Sequence, residues 1–336
     1  MSPAAPGGLG HIPVLLNEAL DALAPREGGV YVDGTFGAGG YTRALLDRGA
    51  SVIALDRDPS AIRAGEALKA SSGGPLELVE ARFGDLDGVA KRLGVETVHG
   101  VVLDIGVSSM QFDEAARGFS LRFDAPLDMR MGRGGRSAAD ILRDEDEATI
   151  ADILFHFGEE RAARRIARAI VADRETKPFS STLELAGMIA RVAPARRGEL
   201  THPATRAFQA LRIAVNDELG ELARGLFAAE LLLKPGGRLV VVTFHSLEDR
   251  IVKQFFAARS GRGRAASRRL PGEPAEAEPT FEVPRGQPIE PSDAEAHANP
   301  RSRSAKLRFG IRTSAPPRGR DEAIEALARL PARRGR

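Results

Sequence analysis

The chain has no cysteine among its 336 residues, and it has no long apolar run. The absence of cysteine excludes disulfides, thiolate metal sites and a cysteine nucleophile. A membrane-spanning helix needs about 20 consecutive apolar residues, and no segment approaches that length. The first residues, M-S-P-A-A-P-G-G-L-G, lack the charged and apolar regions of a signal peptide. The sequence therefore predicts a soluble, cytoplasmic protein.

Net charge is also small, at +2, but the basic residues are unevenly placed. Residues 259–269 contain five arginines and no acid, and residues 301–336 carry 11 Lys/Arg against 3 Asp/Glu. Such blocks favour a polyanionic partner, although a basic tail that is merely solvated is the alternative. The length exceeds one ordinary domain, so we expect one main domain with an insertion.

The segment V-Y-V-D-G-T-F-G-A-G-G-Y-T-R-A-L-L, residues 30–46, predicts a strand, a glycine-rich turn and a helix that opens near Tyr41. Glycine at Gly37, Gly39 and Gly40 permits φ > 0 and removes Cβ atoms that would block a ligand. In a dinucleotide-binding G-x-G-x-x-G motif the third glycine would fall on Thr42. The segment instead resembles the first motif of S-adenosylmethionine (AdoMet)-dependent methyltransferases, with a purely structural turn as the alternative.

Asp56 ends the next apolar run, S-V-I-A-L-D. A carboxylate at the end of the second strand of a βαβ unit can accept hydrogen bonds from both ribose hydroxyls of a nucleotide. The alternative is a surface carboxylate that opens the following helix, which Pro59 in the first turn would also suit. The spacing of strand, turn, helix and strand favours the ribose role.

Strands and helices alternate up to residue 104, which predicts a doubly wound α/β fold, a Rossmann-like parallel sheet with helices on both faces. Ligands in such folds bind at the carboxyl ends of the strands. Four predicted strand ends carry Asp33, Asp56, the 83–85 region and Asp104. We therefore expect the site along this edge of the sheet.

Residues 111–200 contain helical patterns and no strand candidate, so we predict an inserted α-helical domain between two parts of the main domain, 1–110 and 201–336. Capping-box spacing at Ser137 and Ser181 marks two of its helices. Arginines spaced three or four apart should form a basic helix face that either contacts RNA or is simply solvated; these are Arg161, Arg164, Arg165 and Arg168.

The second part of the main domain begins with a long helix reaching toward Leu233, followed by a K-P-G-G turn and strand five. His245 and Ser246 should lie at the carboxyl end of that strand. Residues 259–298 are predicted to form a mobile loop with a short strand near Phe281, before a last strand over residues 304–312 and a basic tail.

Several longer motifs carry a specific resemblance. They are D-G-T-F-G-A-G-G-Y-T, A-L-D-R-D-P, L-D-I-G-V-S-S-M-Q, P-L-D-M-R-M, G-E-E-R-A-A-R-R-I-A-R-A-I, H-P-A-T-R-A-F-Q-A-L-R-I-A-V-N-D-E-L, T-F-H-S-L-E-D-R-I-V-K and N-P-R-S-R-S-A-K-L-R. Together they resemble the bacterial 16S ribosomal RNA cytosine-N4 methyltransferase family, known as MraW or RsmH, from about His11 to Arg312.

The resemblance implies an AdoMet methyltransferase domain interrupted by a helical domain, and methylation of the exocyclic amine of one cytidine in the decoding region of 16S rRNA. It implies AdoMet as methyl donor, no metal, and 16S rRNA, within the small ribosomal subunit, as partner. The implied cofactor contacts in the glycine loop are Gly39, Gly40 and Tyr41, and we include Gly37 of the same loop. Outside the loop they are Asp56, Phe83, Asp104 and Gln111. The chain departs from the family at Tyr41, often His, and at Met110, often Pro.

The exocyclic amine of cytosine is a poor nucleophile because its lone pair is delocalised into the ring, so positioning it against the methyl donor is the main task. Asp104 is the candidate acceptor for that amine, or else contacts only the methionine amine of the cofactor. His245 could position the base or take its proton, or be structural. Phe83 offers a ring for adenine to stack on, and Asp85 is either a competing adenine contact or a helix cap.

Two other functional classes stay open from sequence. A methyltransferase of small molecules or proteins would not need the arginine blocks. A non-catalytic RNA-binding assembly factor would not need Asp56 and the glycine loop.

Overall fold

The computed structural model describes residues 13–106, 114, 117–195, 198, 201–261 and 277–332. Seven strands form one sheet in the order β3-β2-β1-β4-β5-β7-β6. Their bounds are β1 Val30–Asp33, β2 Ser51–Asp56, β3 Leu76–Glu80, β4 Val98–Asp104, β5 Leu233–Thr243, β6 Phe281–Glu282 and β7 Lys306–Arg312. The first five run parallel, whereas β7 is antiparallel to both β5 and β6. The predicted doubly wound α/β fold is confirmed.

The two faces of the sheet bury alternate residues of each strand, as the period of two in a strand requires. One face packs on α1 Leu16–Leu23, α2 Gly40–Leu46 and α3 Pro59–Ser71, through a cluster that includes Val52, Val102 and Val240. The opposite face includes Ile53 and Leu103 and carries α4 Leu86–Arg92 and helices from later in the chain. Because both faces are covered, the strands read as continuous apolar runs.

Between β4 and β5 the described part of the chain contains an irregular segment, residues 117–136, followed by helices. The helices are α5 Ala138–Asp144, α6 Glu147–Gly158, α7 Ala163–Arg174, α8 Thr182–Val192, α9 Thr205–Asn216 and α10 Glu218–Leu232. Both predicted capping boxes are present, at Ser137 and Ser181. Helices α5–α9 share a separate hydrophobic cluster that contains Ile150, Ile166 and Phe208. The limits of an inserted domain at 111 and 200 stay a prediction, and α9, beyond residue 200, joins this cluster.

The prediction of one long helix from residue 201 toward Leu233 was wrong. Asp217 adopts a left-handed conformation, with φ of 50°, which separates α9 from α10. The preceding Asn216 is buried, and its amide accepts from the N–H of Met131 at 2.9 Å and donates to the carbonyl of Met129 at 2.7 Å. Asp tolerates the left-handed backbone region better than most residues. The helix therefore breaks at Asp217, directly after the Asn216 side chain that binds the segment of Met129 and Met131.

Arg259 belongs to the basic block by sequence, but it ends α11 Ser246–Arg259 and is 2% exposed. Its guanidinium pairs with Glu230 and Asp321, each at 3.0 Å, and lies over the Phe227 and Phe255 rings. This arginine therefore fastens the C-terminal segment to the sheet domain. The remaining arginines of that block, within residues 262–269, lie outside the described residues.

The second part of the main domain differs from expectation in three further places. The K-P-G-G segment lies inside β5 as a bulge, since the register with β4 jumps from Val98–Leu233 to Gly100–Arg238. The short strand predicted near Phe281 is present as β6, but residues 259–298 also contain a helix that was not predicted, α12 Asp293–Ala298. The basic tail contains a further helix, α13 Glu322–Leu327.

None of the helices in the described ranges is long and apolar enough to cross a membrane. The four arginines of the predicted basic face are all exposed. Arg168 lies 3.6 Å from Glu147. For Arg161, Arg164 and Arg165, no carboxylate of the described residues comes within 4.0 Å. Arg164, Arg165 and Arg168 lie on α7 and Arg161 in the turn before it, so the basic face exists as a local excess of positive charge at the start of α7.

Candidate active site

A cavity of about 630 Å³ opens at the carboxyl ends of β1 and β4. The chain adds β2 and β3 on one side of β1 and later adds β4 on the other side. Doubly wound sheets bind ligands at this change in strand order. The volume falls in the range of small-molecule and cofactor sites. Its walls come from the glycine loop, the ends of β2, β4 and β5, helices α9 and α10, and the segments 119–123 and 299–304.

The glycine loop adopts the predicted turn, with φ of 52° at Gly37 and 77° at Gly39, a region that favours glycine. The reason proposed for Gly39 and Gly40 needs correction. A Cβ on Gly39 would meet the Phe36 ring at 2.9 Å, and one on Gly40 would meet Pro13 at 2.0 Å. These two glycines make room for protein atoms, and Gly39 does not line the cavity, whereas Gly37 and Gly40 do.

Tyr41 is 3% exposed and lines the cavity. Its hydroxyl donates a hydrogen bond to the carbonyl of Val14. Burial, followed by the nearby charges of Asp104 and Asp33, raises the pKa of Tyr41 well above its usual value. The tyrosine thus anchors the start of the described chain across the glycine loop.

Asp56 lines the cavity at the end of β2. Its Oδ2 accepts from the Gly37 N–H and its Oδ1 from the Asp58 N–H, both at 2.8 Å. Burial raises the pKa of Asp56, and these two hydrogen bonds oppose that effect. The carboxylate therefore holds the glycine loop against the start of α3, and each oxygen keeps a second lone pair for a ligand.

Thr35 connects the ends of β1 and β4. Its N–H donates to Asp33 Oδ1 at 3.1 Å, and its hydroxyl accepts from the backbone N–H of Asp104 at 2.7 Å. Thr42, at the position of the missing third glycine, donates its hydroxyl hydrogen to Asp33 Oδ2 at 2.7 Å. Burial raises the pKa of Asp33 to about 6 despite these bonds.

Asp104 is the most strongly perturbed acid of the cavity wall. Its Oδ1 is buried and accepts no hydrogen bond from the described residues. Burial, then the charges of Asp33 and Glu248, raise the pKa of Asp104 well above its usual value. A buried acceptor without a partner costs free energy, so this carboxyl is set up for a donor or a cation that enters the cavity.

Phe83 lines the cavity with a half-buried ring. A Cβ on Gly225 would lie 2.5 Å from that ring, so α10 supports one side of it. Asp85 is exposed, does not line the cavity, and makes no side-chain hydrogen bond to cap α4. Neither role predicted for Asp85 is seen in its contacts.

His245 lines the cavity directly after β5 and caps α11. Its Nε2 lies 2.9 Å from Glu248 Oε1, and Glu248 Oε2 accepts from the Phe244 N–H at 2.8 Å. Burial alone would raise the pKa of Glu248, but the His245 ring, the Phe244 N–H and the charge of Arg212 lower it. The imidazole therefore lies against a buried carboxylate, but the contact between Nε2 and Oε1 is a close approach without hydrogen-bond geometry.

Donor atoms of Glu218, His245 and Glu248 come within 4.8 Å of one another, a spacing that could hold a metal ion. Both oxygens of Glu218, however, accept from Arg212 at 2.8 Å. That guanidinium already supplies a cation to the cluster. The arrangement is an Arg212–Glu218 ion pair beside the contact between His245 and Glu248.

The lining of the cavity also contains aromatic and basic side chains, among them Phe119, Phe123, Phe208, Phe244 and Arg122. Phe123 is 51% exposed, an unusual position for a large apolar ring. Aromatic rings beside a cation are the surface on which nucleic-acid bases stack.

The sequence analysis thus brought together residues that meet in one cavity: Gly37, Gly40, Tyr41, Asp56, Phe83, Asp104 and His245. Gln111 and Met110 lie outside the described residues. Sequence reasoning missed Arg57, Arg212, Glu221 and Glu248. Arg57 and Glu248 lie inside two of the motifs given above, A-L-D-R-D-P and T-F-H-S-L-E-D. The charge of each, close to the predicted site residues Asp56 and His245, is the signal that could have identified them.

The family model of the MraW methylase family matches residues 8–312. The chain belongs to this family. Relatives named ribosomal RNA small subunit methyltransferase H occur in Methylocella silvestris, 65% identical over 333 residues (99% of this chain, 96% of the relative), and Methylorubrum populi, 61% identical over 328 residues (97% and 93%). A solved putative methyltransferase from Streptococcus mutans in complex with SAH aligns with a TM-score of 0.38 at 12% identity, covering 90% of this chain and 99% of that one, too remote to support an argument.

The methyl donor of the MraW methylase family is AdoMet. The residues of the cavity fit that cofactor. Asp104 Oδ1 is a buried orphan acceptor suited to the positive charges of AdoMet, Asp56 keeps lone pairs for two hydroxyls, and the Phe83 ring is open to the cavity. The chemistry of the donor set and the size of the space thus agree with the family.

Proposed function

We propose that this protein transfers a methyl group from AdoMet to the exocyclic N4 amine of one cytidine in the decoding region of 16S rRNA, within the small ribosomal subunit and hence in the cytoplasm. The names of its relatives support a small-subunit rRNA substrate. The observation that carries the proposal is the orphan carboxyl of Asp104 in a cavity whose lining includes aromatic rings and arginines.

AdoMet supplies a methyl group bonded to a sulfonium, which is the electrophile. We assign its binding to Gly37, Gly40, Tyr41, Asp56 and Phe83, together with Gln111 from the family resemblance and Gly39, which shapes the loop without lining the cavity. Asp56 accepts from the ribose hydroxyls, and Phe83 stacks on adenine. These contacts fix the sulfonium end near Asp104.

Asp104 accepts a hydrogen bond from the cytosine amine, which holds the nitrogen toward the methyl group. The N4–C bond would form as the C–S bond breaks, S-adenosylhomocysteine would leave, and the proton lost from N4 would pass to the Asp104 carboxylate that accepts its hydrogen bond. Thr35 fixes the backbone of Asp104 during this step. His245, which lies against Glu248, positions the base at the cavity wall.

The helical residues 111–200 serve as the RNA-facing domain in this proposal. They contribute Phe119, Phe123 and Arg122 to the cavity, and α7 carries the basic face. A flipped cytidine can stack on these rings while the arginines contact phosphates.

The modified atom follows from the missing cysteine. Methylation at C5 of cytosine proceeds through a covalent adduct with an enzyme thiolate, and the chain has no cysteine. An amine needs no such adduct. The product should therefore be N4-methylcytidine and not 5-methylcytidine.

Methyl transfer from labelled AdoMet into purified small ribosomal subunits, compared with total cell protein and with free 16S rRNA, tests the substrate class. We expect label in the RNA of the subunits. Label in protein would support a protein methyltransferase instead. Failure of the protein to bind AdoMet would favour a non-catalytic RNA-binding factor.

A further inference from the structure

A buried ion pair on the cavity wall leaves two hydrogen-bonding atoms unused. Arg57 follows Asp56 at the end of β2, and Glu221 lies in the first turn of α10. The Arg57 Nη1 lies 3.3 Å from Glu221 Oε2 and donates to the Asn216 carbonyl at 2.9 Å. Arg57 Nε and Glu221 Oε1 are both buried, and neither has a hydrogen-bond partner among the described residues.

Such atoms are rare in folded proteins because each costs the free energy of its lost hydration. The Glu221 side chain is 1% exposed and that of Arg57 is 15% exposed. Burial raises the pKa of Glu221, whereas the charges of Arg57, Arg82 and Arg224 and a hydrogen bond from the Gly84 N–H oppose that effect. The pair is thus desolvated while one donor and one acceptor stay unsatisfied by the described residues.

Both residues line the cavity together with Phe83. A Cβ on Gly84, the residue after Phe83, would lie 3.5 Å from Glu221 Cγ. The unused donor and acceptor therefore lie beside the ring assigned to adenine stacking and next to the carboxylate assigned to the ribose.

We propose that Arg57 and Glu221 recognise the edge of the adenine of AdoMet. Glu221 Oε1 accepts from the N6 amine, and Arg57 Nε–H donates to the adjacent ring nitrogen. Adenine presents this donor and acceptor side by side, which is why paired groups of opposite kind select it. The inference rests on the assignment of this cavity to AdoMet.

Hypoxanthine reverses part of this pattern, since it carries an oxygen at position 6 and a hydrogen on N1. A site that hydrogen-bonds a substrate group rejects the analogue that lacks it, because its own buried groups are then unpaired. Calorimetry should show that S-inosylhomocysteine binds about 10- to 100-fold more weakly than S-adenosylhomocysteine.

Two variants test the residues through the ratio of the two dissociation constants. Glu221→Gln keeps the shape but offers an amide N–H to the position-6 oxygen, so the preference for the adenosyl ligand should fall toward 1. Arg57→Lys keeps the charge but removes Nε, and it should also lower the preference. A merely structural pair would change both affinities together and leave the ratio unmoved.

Asp85→Asn is the matched control, because Asp85 is an acid two residues after Phe83 that is exposed and outside the cavity lining. Its ratio should equal that of the unmodified protein. A wild-type ratio in Glu221→Gln, or a ratio that changes only in Asp85→Asn, would overturn the proposal. If neither ligand binds the unmodified protein, the assignment of the cavity to AdoMet fails first, which separates the two failures.

Discussion

The Thr35 hydroxyl accepts a hydrogen bond from the backbone N–H of Asp104 at 2.7 Å. This contact joins the glycine loop to the end of β4, so the part of the site assigned to the cofactor and the candidate catalytic carboxyl form one unit. Asp33 completes it by accepting from the N–H of Thr35 at 3.1 Å. A ligand that fixes the position of the glycine loop should therefore also fix the position of Asp104.

Asp56→Ala should weaken AdoMet binding by about 1.5 to 3 kcal/mol, the scale of hydrogen bonds to charged groups. The ribose hydroxyls lose their acceptor, and the N–H groups of Gly37 and Asp58 lose theirs. Calorimetric titration with AdoMet measures the weakening. Methylation should largely return at saturating AdoMet, and a rate that stays low would contradict a role limited to binding.

Asp104→Ala should behave differently, because Asp104 is placed where the reacting groups meet. The maximal rate should fall even when both substrates saturate. Single-turnover methylation of small subunits measures it, with circular dichroism as the control for folding. Full recovery of the rate at saturating AdoMet would make Asp104 a cofactor ligand only.

Binding of AdoMet should release a proton. The raised pKa of Asp104 keeps it protonated to higher pH in the free protein, and a cationic ligand favours its carboxylate form. The dissociation constant should therefore fall as pH rises toward neutrality. Calorimetry at several pH values, from the ordinary pKa range of a carboxyl up to neutrality, in two buffers of different ionisation enthalpy reports the proton. Asp104→Asn should remove the release; an unchanged release would assign it to another group.

Asp33→Asn should stabilise the protein at neutral pH. Burial raises the pKa of Asp33 from 3.8 to about 6, so the folded state holds a proton that the unfolded state has released. The free energy of unfolding thus falls by up to about 3 kcal/mol as pH rises through that window, at about 1.36 kcal/mol per unit. Urea unfolding at about pH 4 and pH 7.5 should show a gain in the variant only at the higher pH.

Replacing Arg161, Arg164 and Arg165 by Gln should weaken RNA binding and reduce its salt dependence. Each arginine that no longer meets a phosphate should reduce the slope of log K against log salt by about 0.7 to 0.9. Titrations of RNA at several salt concentrations measure that slope. AdoMet affinity should not change.

The control for this prediction is the triple Gln variant of Arg136, Arg143 and Arg191. These are also exposed arginines of the helical region, but each pairs with an acid, at 2.6, 2.8 and 2.9 Å. Their replacement should leave the slope nearly unchanged. Equal slopes in both variants would show that the face on α7 does not contact RNA.

The sequence placed the strands that end in Asp33, Asp56 and Asp104, and it placed His245 directly after β5. Apolar runs that end in Asp33, Asp56 and Asp104 carry a strong local signal because a parallel strand is buried on both faces. The capping boxes at Ser137 and Ser181 were equally local. For these elements pattern and structure agree because neighbouring residues decide the conformation.

Features set by distant residues were not predictable in this way. The break at Asp217 depends on Asn216 binding a segment 85 residues away. Arg259 has the sequence context of a basic block, yet Glu230 and Asp321 bury it. The Arg57–Glu221 pair joins a strand end to a helix 164 residues later. Charge patterns along the chain do not reveal such partners.

Nucleoside mass spectrometry of 16S rRNA with and without the gene tests the central claim most directly, with the Asp104→Ala gene as a third sample. We predict N4-methylcytidine at one position of the decoding region, present only with the unmodified gene. Unchanged rRNA in all three samples, or 5-methylcytidine as the only product that depends on the gene, would contradict the account.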